Sequence, residues 1–248
     1  MLEVKNLMVF FENALAINDL NLEVKEGEIV GVLGSNSAGK TTLMNTISGL
    51  IIDMKIKEDR RGGERITVLG EVNFEGENII NAKPSERVKR GIVLARERHP
   101  IFPDSDVVEN LKIAGYLRKG SEIQESMDFV FNIFPPLKQL KGRRAGLLSG
   151  GEQQMLIIGM ALVARPRLLL LDEPLLGLAP ALQVDLMRAV KAIREQRGVT
   201  ILVTEQFARP LLPIIDRGYV IANGTPVLAG TRQELMDNPE VIAAYFGV

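Results

Sequence analysis

The 248-residue chain has no cysteine, no tryptophan, a single histidine and only 5% aromatic residues. Without cysteine there is no disulfide framework, no thiol nucleophile and no cysteine-ligated zinc. One histidine, His99, rules out multi-histidine metal sites and ordinary pairs of titrating imidazoles. Neither sign of charge is in excess: 30 Lys+Arg stand against 31 Asp+Glu, a formal net charge of −1, so nothing in the overall charge favours nucleic acid as a partner. Long apolar runs are also missing. The longest nearly apolar stretch, Met155 to Ala164, is about half of the roughly 20 residues a membrane helix requires. The opening MLEVKNL lacks the apolar core of a signal peptide, and the chain reads as cytoplasmic. What remains is an ordinary globular composition, 46% apolar and 25% charged, able to bury a full core as one domain or two closely joined lobes.

Hydrophobic spacing orders the elements. Leu20 to Val24 alternates as a half-buried strand, and Glu28 to Leu33 runs apolar as a buried parallel strand does. Lys40 to Ser48 reads as a short helix stopped by Gly49. The charge run Lys55 to Arg65, with two glycines, is expected to be a solvated loop. Gly91 to Ala95 is another strand, and Asp106 to Ile133 keeps helical spacing with Leu111, Ala114 and Leu117 on one face. Pro135-Pro136 predicts a break, after which Met155 to Val163, apolar almost all round, must be a buried helix. A second α/β stretch follows: a strand at Leu168–Leu171, an amphipathic helix from Pro180 to about Gln196 closed by Gly198, a strand at Val199–Thr204 and one near Gly218–Ala222. The alternation predicts an α/β fold with a mainly parallel sheet covered on both faces. No repeat and no low-complexity tract interrupts it.

Three motifs carry chemistry. The run Gly34-Ser35-Asn36-Ser37-Ala38-Gly39-Lys40-Thr41, followed by Thr42, fits GxxxxGK[ST] between a buried strand and a helix. The glycines let successive amides turn inward around phosphate oxygens, and the helix N-terminus adds its positive end. Lys40 then reaches the terminal phosphates and Thr41 offers a hydroxyl to Mg²⁺. In Leu168 to Pro174, four leucines form a strand whose end presents Asp172 and Glu173. There Asp172 holds the metal, directly or through water, and Glu173 orients or deprotonates the water that attacks the terminal phosphate. The third motif, Leu148-Ser-Gly-Gly-Glu-Gln-Gln154, has two readings. Ser149 and Glu152 make a capping box for the buried helix, and the Ser149 hydroxyl with the amides of Gly150 and Gly151 makes a second anion site at a helix N-terminus. The long stretch from Lys40 to Ser149 allows this end to serve its own chain or a second one.

With these motifs in this order the sequence resembles the ATP-binding subunits of ABC transporters, over essentially the whole chain. Within that family, Ala95 to Phe102, LGLAP at Leu176–Pro180, Glu205-Gln206, Asp216 to Val220 and the ending Ala244 to Val248 look like the ATPases of branched-chain amino-acid importers. The resemblance implies a single ABC-type P-loop NTPase domain over residues 1–248, with an antiparallel β part at the N-terminus. The nucleotide-binding lobe would take about residues 1–97 and 165–248, and an inserted helical lobe about 98–164. It implies ATP and Mg²⁺ as cofactors, with Phe11 and Ala16 beside adenine and Glu97 sensing the metal next to Thr41 and Asp172. Packing of Phe11 into the core is the other reading of that ring. Ser149 and Gly151 would bind the γ-phosphate held by a second subunit's phosphate loop, in a head-to-tail homodimer or heterodimer closed by ATP.

The implied role is an ATP-hydrolysing subunit that powers a membrane importer at its cytoplasmic face. The partners would be permease subunits and, indirectly, an extracytoplasmic solute-binding protein, with no nucleic acid. Branched-chain amino acids are the implied cargo; urea, amides or another polar solute are the alternative cargo, and a soluble non-transport ABC ATPase is the more distant alternative. Glu97 to Asp106, with Arg98, His99, Ile101 and Phe102, is expected to grip a short permease helix, unless Ile101 and Phe102 fold back into the helical core. Three residues depart from the family pattern. Gln206 stands where most members carry the catalytic His, and it donates a hydrogen bond to the γ-phosphate without carrying charge or a proton. Ala179 stands for the usual Asp, and Leu175 for a common small polar residue.

Overall fold

A computed structural model of the protein describes residues 1–63, 65–96 and 101–245. The chain opens with β1 (Leu2–Phe11), β2 (Ala14–Val24) and β3 (Ile29–Leu33), then α1 (Lys40–Ser48), α2 (Leu50–Arg60), β4 (Ile66–Phe74), β5 (Glu77–Asn78), α3 (Pro84–Lys89) and β6 (Ile92–Ala95). Four helices follow, α4 (Val107–Ala114), α5 (Gly120–Ile133), α6 (Pro135–Gln139) and α7 (Gly150–Val163). The last part is β7 (Leu168–Asp172), α8 (Pro180–Arg197), β8 (Thr200–Glu205), α9 (Ala208–Leu211), β9 (Arg217–Ala222), β10 (Thr225–Thr231), α10 (Arg232–Asp237) and α11 (Pro239–Tyr245).

Two sheets organise these elements. One is antiparallel in the order β2-β1-β4-β5. The other runs β10-β9-β3-β8-β7-β6, parallel except for the edge pair β9–β10. Every residue of β3, β7 and β8 is buried, as near-continuous Ile, Val and Leu runs require when both faces of a parallel sheet are covered. One face packs with α1 against the antiparallel sheet. The opposite face packs with α4, α5, α7 and α8. Parallel register brings the ends of β3, β8 and β7 side by side, with Leu33 opposite Glu205 and Thr204 opposite Asp172. Ligands gather at this edge in open α/β sheets. Among the described residues no helix is long and apolar enough to cross a membrane.

The structure corrects two local expectations. The charge run from Lys55 is a loop only beyond Arg60: α2 continues to that residue, because Ile51 buries completely while its Lys, Glu and Arg residues are good helix formers. Asp53 in its first turn and Lys57 and Arg60 in its last complement the helix dipole. Pro135-Pro136 breaks the helix as expected, α5 ending at Ile133, and also starts α6, since both prolines occupy first-turn positions where no amide is needed. The Asp106–Ile133 periodicity divides into two helices at Gly115, where a Cβ would lie 2.7 Å from Ile123 and 2.9 Å from Val163. Only glycine lets α5 and α7 close on that turn. Elsewhere Gly49 (φ 83) ends α1 as expected, and Ser149 and Glu152 form the capping box of α7.

Four strands, β1, β4, β5 and β10, escaped sequence reading. β1 loses its alternation at Asn6, whose φ of 47 marks an irregular register that turns Leu7 inward in its place. β10 is announced by Asn223-Gly224, a two-residue hairpin turn with φ of 49 and 77, which is a strong hairpin signal. That hairpin braces the site: the Gly224 N–H donates to the Ala38 carbonyl at 3.0 Å. A Cβ on Gly224 would sit 2.6 Å from the Ala16 carbonyl.

Candidate active site

The phosphate loop leaves β3 at Gly34 and enters α1 at Lys40. Gly39 takes φ 100 as the N-cap, and a Cβ there would lie 2.6 Å from the Ala16 carbonyl, so the loop closes on β2 only with glycine. Having no side chain, Gly39 leaves the first-turn amides of α1 to a cavity of about 150 Å³ lined by Ala16, Ser37, Gly39, Lys40, Thr41, Thr42 and Glu173. Ser35, Asn36 and Ala38 complete the loop, in which the Ala38 N–H donates to the Ser35 carbonyl at 3.2 Å. Lys40, 3% exposed, donates from Nζ to the carbonyls of Gly34 and Ser35, both at 2.8 Å. It also pairs with Glu173 Oε1 at 2.8 Å. A triphosphate entering this loop therefore competes with Glu173 for the Lys40 charge.

The carboxylate pair ends β7. Asp172 is buried, and its Oδ1 accepts the hydroxyls of Thr204 at 2.9 Å and Thr41 at 3.3 Å. Thr41 and Asp172 thus offer hard oxygen ligands beside the phosphate loop, the donor set a Mg²⁺ that keeps its waters and phosphate oxygens accepts. Glu173 has φ 46, an unusual conformation for a residue with a side chain. It lines the phosphate cavity and a neighbouring cleft formed with Leu175, Gly177, Gln183, Glu205, Gln206 and Phe207. One carboxyl therefore stands between Lys40 and the half-buried Gln206.

Other expected residues fall elsewhere. Ser149, Gly150 and Gly151 begin α7 outside the cavity that Lys40 lines. Ser149 already caps its own helix, accepting the Glu152 N–H at 3.4 Å. Phe11 is half-buried at the end of β1, opposite Ala14 and Ile66. It lines a separate cavity of about 490 Å³ with Glu12, Met54, Lys57, Glu58, Arg61, Arg65 and Ile66. Glu97, Arg98 and His99 lie outside the described residues. Phe102 is 48% exposed while Ile101 packs against the core, so the core reading holds for Ile101 and fails for Phe102. The Phe102 backbone is pinned by the buried Asn110, which accepts its N–H at 2.7 Å and donates to its carbonyl at 3.0 Å.

Sequence reading missed Thr204 and gave Glu205 no task of its own. Thr204 Oγ1 accepts the Glu173 N–H at 3.1 Å while donating to Asp172. Glu205, 3% exposed, accepts the Leu175 N–H at 2.8 Å. Burial pushes its carboxyl up to about 8 against the lowering effect of that N–H, and nearby Glu173 adds to the rise. A charged residue ending an otherwise apolar strand was the available signal.

A phosphate loop at the end of one buried parallel strand, with a carboxylate pair at the end of another, defines a phosphate-loop nucleoside triphosphatase. The chain matches the ABC transporter family over residues 17–176. It belongs to that family, as an ATP-binding and ATP-hydrolysing cassette. Over the whole of both chains it is 37% identical to the high-affinity branched-chain amino acid transport ATP-binding protein BraG of Pseudomonas aeruginosa. It is 31% identical to the probable branched-chain amino acid transport ATP-binding protein LivF of Archaeoglobus fulgidus, covering 100% of this chain and 99% of that one. Among solved structures, the ADP conformation of an ATP-binding cassette of an ABC transporter is similar with TM-score 0.83 and 26% identity, covering 100% of this chain and 99% of the other.

Proposed function

We propose that this protein binds Mg–ATP at its phosphate loop, hydrolyses it in a closed dimer, and thereby drives uptake of branched-chain amino acids through a membrane permease. The observation that carries the site reading is the Lys40–Glu173 contact at 2.8 Å beside Asp172 and Gln206. Gly34 to Thr42 cradle the phosphates, and Phe11 and Ala16 take the adenine end. Thr41, Asp172 and Glu97 hold Mg²⁺, which when bound neutralises charge on the terminal phosphate oxygens. Glu173 accepts the proton of the attacking water, and Gln206 donates a hydrogen bond to the γ-phosphate. The second phosphate-binding end is the partner subunit's Ser149, Gly150 and Gly151, a reading supported by their position outside the cavity of their own chain. The lobes divide at about residues 97 and 165.

The cargo reading rests on full-length identity to relatives named for branched-chain amino acids. Work by this subunit then occurs at the cytoplasmic face of the membrane, with an extracytoplasmic solute-binding protein delivering the cargo. Disabling Glu173 in cells should abolish uptake of radiolabelled leucine and leave urea uptake unchanged; the reverse pattern would assign the amide cargo instead. Dimer closure has its own test. The Glu173→Gln protein should elute at roughly twice the monomer mass with Mg–ATP and as a monomer without nucleotide, and an unchanged elution volume contradicts the shared site. Should it pair only with a different cassette, the dimer is a heterodimer.

The permease contact is supported by Phe102, exposed on a backbone held rigid by Asn110, and by Tyr116, 74% exposed on the same helical lobe. Exposed aromatics on a fixed loop suit a partner better than solvent. Phe102→Ala should leave the melting temperature within about 2 °C, because little buried area is lost, while reducing transport-linked hydrolysis in reconstituted membranes. A fall of several degrees would place that ring in the core.

A further inference from the structure

The ladder between β7 and β8 ends at Asp172 opposite Thr204. Beyond it Glu173 adopts φ 46, a conformation that persists only where the surroundings hold it. Two consecutive side chains of β8 add to the backbone bond that the Glu173 N–H makes to the Thr204 carbonyl at 3.2 Å. Thr204 Oγ1 accepts the Glu173 N–H at 3.1 Å, and Glu205 Oε1 accepts the Leu175 N–H at 2.8 Å. The Glu205 carboxyl therefore continues by side chain a ladder that the backbone has left.

The same residue also touches the phosphate loop: its backbone carbonyl accepts the Gly34 N–H at 3.3 Å. A buried strand end fills more cheaply with an aliphatic side chain than with an acid, so a carboxyl here needs a reason beyond packing. With burial pushing its carboxyl up to about 8, it accepts the Leu175 amide without placing a second full negative charge beside Glu173 at neutral pH.

We propose that Glu205 is a positioning residue for ATP hydrolysis, carrying the Leu175 amide so that Glu173, and the loop running on to Ala179, stay in register with Gln206 and the phosphate loop. This inference rests on Glu173 being the base for the attacking water. The Leu175 side chain is itself buried, and only its amide meets Glu205.

Steady-state hydrolysis of Mg–ATP by the full-length chain tests it with three variants. Glu205→Gln keeps a carbonyl acceptor of the same length and should retain kcat within about twofold. Glu205→Leu fills the volume without an acceptor and should lower kcat at least about tenfold, with KM for ATP within about threefold, since a displaced base impairs the step and not the binding. Glu205→Ala serves the same purpose if the leucine form does not fold. The proposal is overturned if Glu205→Leu turns over at the wild-type rate, or if Glu205→Gln is as slow as Glu205→Leu, which would make charge or proton transfer the role. It is equally overturned if KM and melting temperature move together with kcat and glutamine rescues none of them. Glu173→Gln measured alongside separates the two readings: if it hydrolyses ATP normally, the assignment of the base fails whatever Glu205 does.

Discussion

Replacing Glu173 with glutamine should reduce kcat for ATP by roughly 10²–10⁴-fold, the range associated with loss of a positioned general base. Affinity for Mg–ATP should be unchanged or tighter. The carboxyl lies 2.8 Å from Lys40 Nζ and is 9% exposed, so its charge is an internal competitor for the cation proposed to meet the terminal phosphates. The amide keeps the shape and the backbone hydrogen bond to Thr204 but removes that competition and the proton acceptor together. Lys40→Ala should do the opposite and weaken nucleotide binding directly, because the helix amides alone give only part of the charge stabilisation. Equilibrium binding of a fluorescent ATP analogue and single-turnover hydrolysis distinguish these outcomes. Wild-type turnover by Glu173→Gln in an assembled transporter would remove Glu173 from the mechanism.

The second large effect is on stability. Arg87 in α3 is completely buried, yet among the described residues its guanidinium hydrogen-bonds no carboxylate. It donates instead to the carbonyls of Thr46 and Ile47 at the end of α1 and to those of Ala82 and Ile80, at 2.6 to 2.9 Å. The terminal carbonyls of a helix have no partner within it, and a cation at that end also meets the negative pole of the dipole. Burial lowers the Arg87 pKa to about 10, which leaves it charged at neutral pH. Arg87→Met keeps most of the volume and removes the guanidinium bonds to four carbonyls, of which the Thr46 carbonyl keeps the Gly49 N–H at 3.2 Å. With part of that penalty relieved by relaxation, the loss should be about 3–5 kcal/mol. For a chain of this size that lowers the melting temperature by about 10 °C. Arg87→Lys should recover less than half of it, since an ammonium cannot span four acceptors in the guanidinium plane. A shift below about 2 °C for Arg87→Met would mean that water takes over the carbonyls.

Legibility from sequence differed between parts of the molecule for identifiable reasons. The phosphate loop and the strand ending in Asp172-Glu173 were readable because their chemistry is local: glycines, a lysine and a helix start must be consecutive to work. Buried central strands were readable because complete burial leaves an unbroken apolar run. α2 was misread because charge density was taken for solvation, although one buried Ile51 is enough to anchor a helix whose remaining residues favour that state. β1 was invisible because period-two alternation fails at a bulge. The Asn223-Gly224 turn was legible and overlooked.

By itself the sequence determined which groups are available: a glycine-rich loop carrying Lys40, two adjacent carboxylates, a capped helix end with two glycines, and no cysteine or paired histidines to offer another chemistry. Covalent order decides these, since each motif acts within a few residues of chain. Tertiary structure alone decided which groups meet. Parallel register between β7 and β8 sets Thr204 on Asp172 and Glu205 on the Leu175 amide. The fold also turns Lys40 onto Glu173 and leaves Ser149 outside that cavity. These contacts join residues far apart in the chain, and their partners are chosen by strand pairing and helix packing over the whole sheet, which no local pattern encodes.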